Sequence, residues 1–282
     1  MTVRALADGD VELVQPLAQR SFDDLALRTG RPVEARSDEE RAHQRALHRY
    51  HLRTGSVLGA YDEHGALVGA ALSSVRGRLW QLALLVVEPG AQSAGAGSAL
   101  LRDALATMPQ GGVGTFTSSR DARALRAYAR AGFRLLPALS ATGQVDQARL
   151  GDRSGVRDGE LSRDAERVGV AHLTQDVALV VAEGGAFLVA EGGCALVYRS
   201  GSRSMVRVLT AGTPREGQAL LRAGLLAAGG EKVAISPLAP QQDWAVDVAL
   251  AAGLELGLSG PVAVTGVADP LAGTCPPAAV MV

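Results

Sequence analysis

The stretch Leu84-Leu-Val-Val-Glu-Pro-Gly-Ala-Gln-Ser-Ala-Gly-Ala-Gly-Ser-Ala-Leu-Leu101 passes from an apolar strand, through a proline stop and small or polar residues, into an amphipathic helix. The chemistry such a junction offers is anion binding. The first turn of a helix leaves backbone N–H groups without partners and carries about half a positive charge, and side chains as small as Gly95, Ala96 and Gly97 let a phosphate reach those amides. The competing reading is a glycine-rich turn that only reverses the chain. Two better-known phosphate loops do not fit. There is no Gly-Lys-Ser/Thr for a nucleoside triphosphate, and Gly95-Ala-Gly97-Ser-Ala-Leu100 lacks the third glycine of a dinucleotide fingerprint. Further on, Ser118-Ser-Arg-Asp121 has the form of an N-capping box, and the helix it opens runs to Ala131, where Gly132 supplies a left-handed stop before Phe133. That helix carries Tyr128.

Other chemistries find little support. Cys194 and Cys275 are the only cysteines, and neither has the nearby ligands a zinc site needs, so no metal is expected. His43, His48 and His51 lack the i, i+4 pairing with an acid of a zinc helix, and the charged run Glu39, Glu40, Arg41, Arg45, Arg49 around them reads as a solvated helix face. A net charge of −1 over 282 residues argues against a nucleic-acid partner. No apolar run approaches the ~20 residues that span a bilayer, and the first residues lack a secretory pattern, so no membrane association and a cytoplasmic location are expected.

The elements that would position these residues occur twice. Val57–Tyr61 and Leu67–Ser73 flank a turn at Asp62–Gly65, and Phe187–Ala190 and Ala195–Tyr198 flank one at Glu191–Gly193, so each reads as a β-hairpin. Each is followed by a strand (Leu82–Val87, Met205–Leu209), a loop, a helix (Ala99–Leu105, Ala219–Leu225), another strand (Val113–Thr117, Lys232–Ser236) and a second helix that ends at glycine. The offset is 120 from Ala99 to Ala219 and 121 from Gly132 to Gly253. So steady an offset implies an internal duplication of one unit. The expected architecture is α/β (α+β): two tandem units, each a mixed, mainly antiparallel sheet flanked by helices. Residues 1–140 form the first domain, the aperiodic 141–160 a linker, and 161–282 the second. Helices are expected over Asp8–Leu25 and Asp38–Leu52. The tail from Thr274 is proline-broken, then apolar, and reads as a last edge strand or an arm to a neighbouring subunit.

Taken in order, Val87-Glu-Pro89, Gln92-Ser-Ala-Gly95-Ala-Gly97 and Tyr128-Ala-Arg-Ala-Gly132-Phe133 resemble the GNAT superfamily of acyl-CoA-dependent N-acyltransferases, with its V-x-P strand end, its Q/R-x-x-G-x-G/A loop and its tyrosine shortly before Gly-Phe. The resemblance covers about residues 2 to 140, and the whole chain looks like tandem two-unit members of actinobacteria. It implies that acetyl-CoA lies with its pantetheine arm along the strand of Leu85, Val86 and Val87 and its pyrophosphate on the amides of Gln92, Ser93, Ala94, Gly95, Ala96, Gly97 and Ser98. Tyr128 would donate a proton or hydrogen bond to the departing thiolate as an amine attacks directly, without a covalent enzyme intermediate. Asp121 departs from the asparagine common there. Glu88, just after the binding strand, and Asp23, Asp24, Tyr50 and His51, in or beside the helices that would border the acceptor pocket, are candidate bases, although each also reads as an ordinary surface residue and a water chain could take the proton.

The second copy differs where it matters. Thr213-Pro-Arg-Glu216 replaces the glycine loop with a self-sufficient helix start: a threonine cap, a proline without an N–H, and a glutamate that completes a capping box. The counterpart of Tyr128 is Ala249. The expectation is an active first unit and a second that has lost acetyl-CoA. The alternative is a non-catalytic acyl-CoA-binding sensor. The acceptor amine is left unassigned, and a homodimer stays open.

Overall fold

The computed structural model describes residues 1–33, 35–92, 94–200, 203–229 and 232–266. In chain order the elements are β1 (Thr2–Ala5), α1 (Val11–Arg28), α2 (Asp38–Thr54), β2 (Ser56–Tyr61), β3 (Leu67–Arg76), β4 (Leu79–Val87), α3 (Ala96–Leu105), β5 (Val113–Thr117), α4 (Ala122–Arg130), β6 (Arg134–Leu136) and β7 (Leu139–Gly143). They continue with β8 (Arg157–Asp158), α5 (Leu161–Asp164), α6 (Thr174–Ala182), β9 (Ala186–Val189), β10 (Cys194–Ser200), β11 (Arg203–Thr210), α7 (Pro214–Ala228), β12 (Lys232–Leu238), α8 (Asp243–Ala251), β13 (Glu255–Leu258) and β14 (Val262–Thr265). The chain divides into two compact units. One holds Met1–Gly114 and Asp121–Phe133; the other holds Thr115–Arg120 and the described residues from Arg134 to Gly266.

In the first unit β1, β2, β3 and β4 lie side by side, all antiparallel. Side chains alternate across a strand, so Ala70, Leu72, Leu84 and Val86 share one face and pack on Val14 and Leu17 of α1. The opposite face receives α3 through the buried Leu100, Leu101 and Ala104. Gly69 allows that approach, because a Cβ there would stand 2.9 Å from Leu100 Cδ1. The β3–β4 pairing steps from Leu72↔Leu84 to Ser73↔Leu82, which leaves Ala83 as a one-residue bulge that re-aims the strand just before the glycine loop. Helix α2 starts on a reciprocal cap: Ser37 Oγ accepts from Glu40 N, and the Glu40 carboxylate accepts from Ser37 N.

The second unit carries a seven-stranded sheet ordered β13-β7-β12-β11-β10-β9-β8. Here β10–β11 repeats the bulge, stepping from Leu196↔Val208 to Val197↔Val206 around Arg207. Strands β11 and β12 are parallel, and α7 lies over the sheet with Leu220, Leu221 and Leu225 buried. Asp164, fully buried, accepts two hydrogen bonds from Arg157, one from Arg167 and one from the Glu160 amide. These charge-assisted bonds hold its carboxyl well below the usual range, Arg157 contributing most.

Two features depart from the sequence expectations. The stretch 141–160, expected as a linker, begins inside β7, which lies between β12 and β13 and is antiparallel to both. Its remainder includes a short 3-10 turn at Gln147–Arg149 and β8. Strand β14 lies between β5 and β6, pairing antiparallel with β6. Neither position follows from local pattern, because each strand joins partners distant in sequence. The tail from Thr274, with Cys275, lies outside the described residues. Among those residues no helix is long and apolar enough to cross a membrane, and no cluster of metal-ligating side chains occurs.

Candidate active site

Strand β4 ends at Val87, a 3-10 turn follows at Pro89–Ala91, and the Gln92 carboxamide folds back to donate to Val87 O at 3.1 Å. Gly95 then takes φ +88°, a left-handed conformation that favours glycine, and α3 begins at Ala96 with no side-chain cap. The Ala99 amide is the first to bond back, to Gly95 O at 3.0 Å. The amides of Ala96, Gly97 and Ser98 therefore have no protein partner among the described residues, and they point out of the helix start. A Cβ at Gly95 would meet nothing within 4 Å, and one at Gly97 only the Val87 methyl at 3.5 Å. Small residues, open space and unclaimed N–H groups coincide here, which is the donor set an anion such as a diphosphate needs. Ser93, expected on this loop, lies outside the described residues. Ala94 is exposed. Leu85 and Val87 are half-buried, whereas Val86 faces the core under α1.

Tyr128 is the buried residue of α4, 6% exposed. Its ring meets Phe133 edge-on with centroids 6.4 Å apart, and Phe133 in turn lies 6.2 Å from Trp80. Trp80, fully buried inside β4, donates its indole N–H to Ala104 O and Thr107 Oγ1 at the end of α3. Three aromatics thus tie the tyrosine's helix to the strand and helix that frame the glycine loop. Gly132, at φ +91°, makes the turn that returns Phe133 beneath Tyr128. Helix α4 is capped differently from expectation. Its N-cap is Asp121, which accepts from the Arg123 amide at 2.9 Å, while Ser118 Oγ donates to Ser119 O. The aspartate also binds Arg28 at 3.3 Å, joining the end of α1 to the start of α4. Burial works against its charge, but the Arg123 amide, Arg123 and Arg28 hold its pKa below the ordinary carboxylate value.

The candidate bases are mostly engaged. Glu88 is held by Arg20 at 2.7 Å, Asp24 by Arg28 at 2.7 Å, and Asp23 accepts from Gln19 at 2.6 Å. The solvated-face reading of the α2 histidines fails: His48 and His51 are buried at 7% and 3% exposure, and so is Tyr50, which meets Arg76. Burial, then the neighbouring His51, pushes His48 down to about 4. The charge of α2 concealed this because its buried side chains are polar too.

In the second unit the equivalent helix start is already satisfied. The strand offset from the Ala83 bulge to the Arg207 bulge is 124, against 120 for the helices, so the intervening loop is four residues shorter. Thr213 Oγ1 accepts from the Glu216 amide, and Pro214 opens α7. The Glu216 carboxylate does not close the expected capping box; it accepts the amides of Gly192 at 2.6 Å and Gly212 at 3.0 Å. Ala249 is fully buried.

Residues 28–143 match the family model described as the acetyltransferase (GNAT) domain. No curated protein matches the chain. Solved structures share the fold over nearly its whole length. A protein of Pyrococcus horikoshii, described as a presumptive acetyltransferase, superposes with a TM-score of 0.68 at 14% identity over 94% of this chain and 89% of its own. A GCN5-related N-acetyltransferase of Kribbella flavida gives 0.58 at 18% over 93% and 70%. A tandem GNAT protein from the clavulanic acid biosynthesis pathway gives 0.57 at 17% over 95% and 99%. Residues 28–143 thus resemble a GNAT acetyltransferase domain, and the chain as a whole shares the fold of these acetyltransferase structures.

Proposed function

We propose that the chain transfers an acetyl group from acetyl-CoA to a primary amine of a small molecule or peptide, and that the first unit does the chemistry. The observation that carries this reading is the uncapped start of α3. Its three amides, without a protein partner among the described residues, and the open space before Gly95 and Gly97 fit a diphosphate, whereas the matching turn of α7 is filled by its own side chains. Acetyl-CoA supplies the activated acyl group as a thioester. Gln92, Ser93, Ala94, Gly95, Ala96, Gly97 and Ser98 then form the loop that receives its pyrophosphate, and Leu85, Val86 and Val87 the strand along which its arm lies. Tyr128, fixed edge-on to Phe133, is the proton donor to the departing sulfur. Charge develops on that sulfur as the amine attacks, so a hydroxyl there lowers the barrier without forming a bond to carbon. The second unit, from this reading, keeps the fold and has lost the cosubstrate.

The test is thiol release from acetyl-CoA across a panel of primary amines, with mass spectrometry of the products. Release that depends on an amine and yields its acetyl derivative supports transfer. CoA binding without any amine-dependent release would favour a sensor instead.

A further inference from the structure

Strands β11 and β12 pair in parallel from Arg203↔Lys232 to Val206↔Ile235, and no later pair joins them, although both run on, to Thr210 and Leu238. The second unit therefore keeps a divergent pair of parallel strands after its bulge. The cleft is lined by Val206 and Leu209 on one strand, Ile235 and Leu238 on the other, Leu221 of α7 and Trp244 of α8. Only about 30 Å³ of it stays open, room for about one water.

The position of the indole is informative because the repeat supplies its control. By the helix offset of 120, Gly217 of α7 is the counterpart of Gly97 of α3. A Cβ at Gly97 would meet only a methyl at 3.5 Å, but one at Gly217 would stand 2.8 and 2.9 Å from the Trp244 ring. The same glycine that faces open space in the first unit faces an indole in the second. Trp244 is 8% exposed, and among the described residues its N–H has no hydrogen-bond partner, in contrast to the doubly bonded N–H of Trp80. Beside it, the Glu216 carboxylate takes the Gly192 and Gly212 amides, as a bound anion would.

We infer that the second unit retains an acyl-CoA-shaped site that its own residues occupy, the indole of Trp244 standing for the ligand's arm and the carboxylate of Glu216 for its phosphate. The inference rests on the assignment of the Gly97 helix start as the cosubstrate cradle. It makes the second unit a ligand-independent copy, already packed where the first unit waits for acetyl-CoA, and it defines a site that two substitutions reopen.

The experiment is a calorimetric titration of CoA into the full chain and into a Trp244→Gly/Glu216→Gln variant, whose fold is checked by circular dichroism with and without added indole. The wild type is expected to bind one CoA per chain and the folded variant two. Two in the wild type, or no added site in the folded variant, overturns the inference. None in the wild type with one in the variant supports it while removing the proposed first site, so the two claims fail separately. If the variant does not fold, two glycine substitutions decide. Gly217→Ala is expected to lower the melting temperature and leave CoA affinity unchanged. Gly97→Ala is expected to leave the melting temperature and weaken CoA about tenfold or more, the equivalent of a single lost contact. Equal effects of the two substitutions on both readouts overturn the inference.

Discussion

Replacing Tyr128 by phenylalanine separates chemistry from packing, because the structure fixes what the substitution removes. The ring is 6% exposed and edge-on to Phe133, and phenylalanine keeps both the burial and the contact. Only the hydroxyl is lost, so the packing that holds α4 in place is kept. Alanine would leave a cavity and cost about 3–5 kcal/mol. A proton donor in the transition state contributes roughly 10²–10⁴-fold in rate. Tyr128→Phe is therefore expected to lower kcat for amine-dependent thiol release by that factor while CoA affinity and melting temperature barely move, and Tyr128→Ala to lose all three. Urea unfolding, CoA titration and thiol release on the same preparations give the split. If Tyr128→Phe turns over at the wild-type rate, the tyrosine is a packing residue and the leaving thiolate takes its proton elsewhere.

Three further outcomes follow from the same geometry. Because His48 is held neutral, its folded pKa of about 4 lies below its unfolded value, and stability is lost as the pH falls from the ordinary histidine range toward 4. The loss amounts to about 3 kcal/mol, and His48→Gln should flatten that part of the urea-midpoint profile; an unchanged slope would show that His48 is not the titrating group. Asp164 has the opposite charge logic: its folded value is depressed, so its contribution is complete above the ordinary carboxylate range and disappears as the pH falls below it. Asp164→Asn should melt lower than wild type at neutral pH, with the difference shrinking in acid; a constant difference would contradict the ionic account. Trp80→Phe removes the indole bonds to Ala104 and Thr107 at the end of α3, and should lower both melting temperature and kcat, with a melting temperature equal to wild type counting against the aromatic chain as a support.

What could be read from the chain alone was what is local. Both hairpins, the strands after them and the left-handed glycine at 132 sit where turn chemistry and alternation place them. The duplication was legible as an offset, and the change from 124 to 120 between strands and helices locates the missing residues of the second loop. Distant partners were not legible. Nothing near Leu139 signals that β7 will pair with β12 and β13, and nothing near Val262 signals pairing with β6. The Glu216 carboxylate reaches an amide 24 residues away rather than its own cap, because Gly192 and Gly212 bring two unhindered N–H groups together. Both tryptophans are buried, Trp80 inside β4 and Trp244 in the cleft between two diverging strands.

The central claim is that unclaimed amides at the start of α3 hold the diphosphate of CoA. Isothermal titration of the full chain with CoA and with pantetheine, which shares the thiol arm but has no diphosphate, tests it most directly. Micromolar CoA with pantetheine weaker by at least a hundredfold, a loss of about 2.7 kcal/mol, is the predicted result. Equal affinity for the two, or no affinity for CoA, would contradict it.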